Sequence, residues 1–169
     1  MITNWIQKII KGVARINTMA ATLSGVILLF ITLSIFVDVF LRYFFNQPSI
    51  WITEVSTYLF LYVIFLGTAH ALQEGMHIRV TFLLDMVGEK TARFIDIFTS
   101  LLAMIFSLVL LWQTSIMTWT SFEEDWTSPS MLNAPYAYIY LAMVLGSALL
   151  VLTFLGNIFS LINNNKLQN

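Results

Sequence analysis

The sequence predicts an all-α membrane protein. It has four transmembrane helices, both termini in the cytoplasm, and short amphipathic helices lying in the interface before helix one and between helices two and three. Three observations predict it. Of 169 residues, 59% are hydrophobic and only 10% charged, with a mean hydropathy of +0.83, whereas a soluble domain is about a quarter charged. The charges bracket four long uncharged windows, and roughly 20 apolar residues suffice to cross a bilayer. The basic residues gather on one side of those windows, which orients the chain.

The chain opens with "MITNWIQKIIKGVARI". Ile2, Trp5, Ile6, Ile9, Val13 and Ile16 fall near helical spacing, and Lys8, Lys11 and Arg15 lie mostly off that stripe. Such a helix lies in the headgroup plane, with Trp5 as an anchor. It occupies residues 1–16 in this reading. The uncharged window that follows, 16–37, is longer than the apolar region of a secretory signal, and is read as a retained first span within about 17–45.

The second window, 55–73, lies between Glu54 and Glu74, and the third, 97–122, between Asp96 and Glu123. They give spans at about 53–73 and 90–122. "IRVTFLLDMV", residues 78–87, is the second interfacial helix, ended by Gly88; Glu89 and Arg93 then pair at i,i+4 as helix three begins. The fourth span, about 135–162, starts at Pro135, since proline suits a first helical turn. The tail "NNNKLQN" is polar and expected to fray. The whole chain is one membrane domain, 1–169.

Lys8, Lys11 and Arg15 precede span one; Arg79, Lys90 and Arg93 lie between spans two and three; Lys166 follows span four. The opposite side holds Arg42 with Glu54, Glu123, Glu124 and Asp125. This asymmetry puts both termini in the cytoplasm. It makes His77 and Arg79 cytoplasmic interface residues.

The spans are nearly bare of groups that could carry chemistry. Intramembrane ionisable residues mark ion paths and proton relays. The deepest acid, Asp38, sits four residues before Arg42, where the two pair on one helix face. Glu54 opens the next helix within reach of Arg42. Asp38, Arg42, Trp51 and Glu54 therefore form either a joint between helices one and two or a docking surface. The loop Glu123, Glu124, Asp125, Trp126 is a second docking candidate, against the alternative of a solvated loop. His70 and His77 share one segment, which does not supply two haem ligands from opposite sides; His70 is expected to be packed and hydrogen-bonded. No metal, cofactor or enzyme activity is expected. The absence of cysteine excludes thiolate chemistry, and a net charge of −1 gives no reason to expect nucleic acid. Trp112, Trp119 and Trp126 recur every seven residues as a packing or belt stripe. Ala21/Gly25, Gly67/Ala71, Ala103/Ser107 and Ala142/Gly146 are small pairs that let helices approach.

The stretch "LRYFFNQPSIWITEVSTYLFLYVIFLGTAHALQEGMHIRV" resembles the small membrane subunit of tripartite ATP-independent periplasmic (TRAP) transporters. Arg42, Phe45, Pro48, Trp51, Glu54, Phe65, Gly67 and the run from His77 to Val80 match in order and spacing. Thr53 stands where the family usually has a first Glu, and Thr81 where an Asp follows the His-Ile-Arg-Val run. The resemblance implies a bacterial inner-membrane subunit without catalysis of its own. It implies a separate large membrane subunit that carries the substrate and sodium sites and moves as an elevator, and a periplasmic binding protein that delivers an organic acid. The small subunit would scaffold the large one and help dock the binding protein, with lipid around it. A self-contained proton-coupled exporter working as a dimer is the competing expectation, with Asp38 as its carboxylate; a haem or quinone subunit is a third.

Overall fold

The computed structural model describes residues 2–47, 49–74 and 88–164. Among them the architecture is four helices: α1 (Ile2–Phe45), α2 (Ile50–Gln73), α3 (Glu89–Glu123) and α4 (Tyr136–Asn164). Each contains a segment long and apolar enough to cross a membrane. The four-helix membrane fold class expected from the uncharged windows is what the chain adopts.

α1 runs without a break through residue 16, where the sequence reading divided an interfacial helix from a span. Neither proline nor a turn signal interrupts it. At 1.5 Å per residue its 44 residues measure about 66 Å, twice the roughly 30 Å core. The second interfacial helix (78–87), His77, Arg79 and Pro48 lie outside the described residues.

α1 stops where Asn46 takes a left-handed conformation (φ 54°). α3 stops in the same way at Asp125 (φ 48°), with the Trp126 N–H reaching back to Ser121 O at 3.0 Å. That is the Schellman closure, with aspartate in the place glycine usually holds. α4 begins directly after Pro135, close to the expected start.

α2 and α4 form the centre. α1 packs on α2 and touches α4 along a short stretch; α3 packs on α4 alone, and α1 and α3 do not meet among the described residues. Ala69, Leu72, Leu150 and Phe154 make a small apolar core between α2 and α4. The two helices come close at Gly146, where an added Cβ would lie 2.5 Å from Phe65 O.

Beside that apolar core the interior holds small and polar residues, and most of the large apolar ones face outward. Ser107, Ser121 and Ser147 are fully buried, whereas Phe36, Phe106 and Leu102 are exposed. With lipid as solvent, close helix contact rather than apolar burial favours association, which selects small side chains inside. Ser107, Thr114 and Ser121 recur every seven residues on the face of α3 turned to α4, and Thr114 lies 3.4 Å from Ser147. The tryptophans of the same period are elsewhere. Trp112 and Trp119 face outward, and Trp126 lies beyond the end of α3. Of the small pairs, Ala142/Gly146 and Ala103/Ser107 are at helix contacts. Gly67 faces Ser24, whose hydroxyl donates to Val63 O at 3.0 Å. Gly25 is exposed with nothing near it, so the first pair does not serve packing within this chain.

Candidate functional site

One cluster of polar side chains lies at the end of the bundle where α1 ends, α2 begins and the α3–α4 loop crosses. Asp38 is the hub of its first half. It is almost fully buried, and its two oxygens do different work. Oδ2 accepts from Arg42 Nη2 at 2.9 Å, one turn on in α1. Oδ1 accepts from the Ser49 N–H at 2.8 Å. Ser49 is the N-cap of α2, so the carboxylate also satisfies one of the backbone donors that a helix start leaves free and sits at the positive end of its dipole. Asp38 therefore joins α1 to α2 directly. Arg42 spends only one edge of its guanidinium on this, and its side chain is 54% exposed.

Glu54 belongs to a second half. Its Oε2 accepts from Ser130 Oγ at 2.6 Å, across to the α3–α4 loop. Ser130 and Ser128 hydroxyls are 2.8 Å apart, and Tyr58 OH donates to Ser128 Oγ at 2.7 Å. A carboxylate can only accept. Ser130 therefore donates to Glu54, Ser128 to Ser130 and Tyr58 to Ser128, a one-way chain in which each bond polarises the next. The loop is closed on itself by Ser128 N–H to Ala134 O and Tyr136 N–H to Trp126 O, both 2.9 Å. The expected alternative of an Arg42–Glu54 pair is not how these groups are arranged: Arg42 holds Asp38, and Glu54 holds Ser130.

Around this frame the exposed groups are Arg42, Trp51 and the acidic stretch Glu123, Glu124, Asp125. Trp126 Nε1 donates to Glu124 Oε2 at 2.7 Å, which tethers that indole to the loop. No group of three or more potential metal ligands occurs among the described residues.

At the other end lies a node the sequence reading missed. Asn17 is fully buried, and its Nδ2 donates to Gln73 Oε1 at 3.1 Å and Thr153 Oγ1 at 2.8 Å. One amide thus ties α1, α2 and α4. Its signal was present: Asn17 is the only carboxamide in the first uncharged window. His70, expected to be hydrogen-bonded, has a buried Nδ1 with no partner among the described residues.

The arrangement holds helices together at both ends and presents one cation and several acids at one of them. The sequence model of the family "Tripartite ATP-independent periplasmic transporters, DctQ component" matches residues 31–164. A putative TRAP transporter small permease protein of Haemophilus influenzae is 26% identical over 138 residues, covering 79% of this chain and 83% of the relative. The C4-dicarboxylate TRAP transporter small permease protein DctQ of Vibrio cholerae is 25% identical over 145 residues, covering 73% of this chain and 62% of the relative. The sialic acid TRAP transporter permease protein SiaT of H. influenzae is 30% identical over 90 residues, which are 53% of this chain and 15% of that much longer relative.

Proposed function

The chain belongs to the DctQ component family of tripartite ATP-independent periplasmic transporters, and from that premise we propose that it is the small membrane subunit that scaffolds a separate large, elevator-type transport subunit and helps dock a periplasmic solute-binding protein. The family makes it a multi-pass transporter component of the bacterial inner membrane and not an enzyme.

The observation that carries the scaffold role is the polar pinning at both ends of the helices: Asp38 to Ser49 and Glu54 to Ser130 at one, Asn17 to Gln73 and Thr153 at the other. A subunit that must stay still while its partner moves is served by helices fixed at both ends. Between those nodes, the described spans carry no Asp, Glu, Lys or Arg, and His70 is their one titratable imidazole, so we assign the coupling ions and the organic acid to the large subunit. Relatives named for sialic acid and for C4-dicarboxylates support uptake of an organic acid. The distribution of basic residues favours both termini in the cytoplasm. The end bearing Arg42, Trp51, Glu123, Glu124 and Asp125 then faces the periplasm. Arg42 is the docking group of choice, because its exposed guanidinium edge suits a partner carboxylate in a fork.

Affinity purification of the tagged chain from mild detergent, followed by mass spectrometry, tests the reading. A stoichiometric large multi-span protein is expected. Recovery of the chain alone, or as a homodimer, overturns it. For docking, Arg42→Gln and Arg42→Glu are assayed for uptake with large subunit and binding protein in vesicles; unchanged uptake removes Arg42 from that role.

A further inference from the structure

The two flanking helices, α1 and α3, both turn large apolar residues outward, but they differ in how their outward polar groups are satisfied. On α1, Thr18, Thr22 and Thr32 are exposed, and each hydroxyl donates back to its own helix, to Ala14 O, Thr18 O and Leu28 O. These exposed threonine hydroxyls are thus all satisfied, leaving the half-buried Ser34 and the buried Asn17 Oδ1 without a partner among the described residues, and the outward face suits lipid. On α3, Ser115 does the same with Leu111 O. Its neighbours Trp112 and Gln113 do not. Both are exposed, Trp112 at 72%, and neither the indole N–H nor the amide meets a hydrogen-bond partner among the described residues.

Depth makes this matter. Within the apolar segment Ile97–Glu123, Gln113 lies about 24 Å from one end and about 15 Å from the other at 1.5 Å per residue. Any placement of a roughly 30 Å hydrocarbon core along that segment encloses it. Trp112 lies beside it, away from the interface where tryptophan finds water for its N–H. A carboxamide facing acyl chains forfeits its hydrogen bonds, while glutamine facing another helix makes them across the contact. Val109, Gln113 and Ile116 form one stripe, three and four residues apart, with Trp112 at its margin.

We infer that this stripe of α3 is the surface against which a transmembrane helix of the large permease subunit packs, with a hydrogen bond to the Gln113 amide, and that the outward face of α1 is left to lipid. The inference rests on the small-subunit reading above. The choice of occupant rests on the H. influenzae SiaT permease, in which a stretch similar to 90 residues of this chain forms 15% of one polypeptide. In that relative the small-subunit-like segment is covalently joined to a far longer permease, so a permease helix is the neighbour at hand.

The chain contains no cysteine, so single cysteines give unique labelling sites. Val109→Cys, Gln113→Cys and Ile116→Cys on α3, and Val26→Cys and Leu29→Cys on α1, are each tagged with a photo-crosslinker in membranes that also hold the large permease. Adducts with the permease are expected from the α3 positions, several-fold above those from α1. Gln113→Leu should lower recovery of the permease in detergent, with Gln113→Asn restoring part of it. Permease adducts from α1 instead, adducts of two copies of this chain from Gln113→Cys, or lipid labelling from every position overturn the assignment. If no permease co-purifies with the unaltered chain, the small-subunit reading itself fails; if it co-purifies and the α3 positions stay unlabelled, only the choice of face fails.

Discussion

The backbone of Phe65 passes so close to Gly146 that a methyl group on the glycine would sit 2.5 Å from the Phe65 carbonyl oxygen. Backbone cannot yield as a flexible side chain does, so Gly146→Ala should push α2 and α4 apart and destabilise the bundle by about 1–3 kcal/mol, the usual cost of overpacking. Gly25→Ala is the matched control. Nothing lies near Gly25, and alanine is the better helix former by up to about 1 kcal/mol. Thermal unfolding in one detergent should separate the two in opposite directions.

Asp38 and Arg42 are partners of unequal weight. Removing Arg42 breaks a pair whose cation is 54% exposed but leaves the buried Asp38 carboxylate its bond from the Ser49 N–H, at a cost of about 1 kcal/mol or somewhat more. Removing Asp38 also strands the Ser49 N–H at the start of α2, at about 1–3 kcal/mol for a buried donor left without its acceptor. Asp38→Ala should therefore lower the unfolding temperature more than Arg42→Ala. Asp38→Asn, which keeps an acceptor for Ser49, should fall between.

Glu54 anchors the hydroxyl chain that runs through Ser130 and Ser128 to Tyr58. Glu54→Gln retains an acceptor oxygen and should leave the loop in place. Glu54→Ala removes the acceptor that orders the series. Amide hydrogen exchange over residues 124–135 should rise several-fold in the alanine variant and little in the glutamine one.

Asn17 and Thr153 are 136 residues apart in sequence and 2.8 Å apart in space. Intramembrane polar pairs measured by double-mutant cycles average about 0.6 kcal/mol and reach about 1.7. A cycle of Asn17→Ala with Thr153→Val should return a coupling in that range. A value near zero would show that the amide does not bind α1 to α4.

Much of the fold was legible because charges cannot be left inside hydrocarbon: each uncharged window marks a helix, although α1 runs well past its window at both ends and α3 begins before its own. The Asp38–Arg42 pair was legible because it is local, one helical turn apart. The Glu54–Ser130 bond was not, since the partner is 76 residues away and hydroxyls are common. Asn17 hid for a related reason. In a water-soluble helix an apolar stripe tells which face is buried, but here both faces are apolar, and the register between helices leaves no periodic trace. The seven-residue spacing on α3 carried this ambiguity in full. The tryptophans drew attention to a packing stripe, while the modest Ser107, Thr114 and Ser121 row is the one that packs.

Among the described residues α4 is the only helix that touches the other three, and the ribosome makes it after them. While α4 is still being synthesised, α1 and α2 already form a pair, but α3 has entered the bilayer with no neighbour in its own chain. Its hydroxyl row of Ser107, Thr114 and Ser121 then faces lipid, each group turned back on its own helix, until Ser147 arrives. Assembly of this subunit is therefore a single closing event, and a chain cut short before residue 136 would leave a helix pair and an orphan helix for membrane quality control to clear.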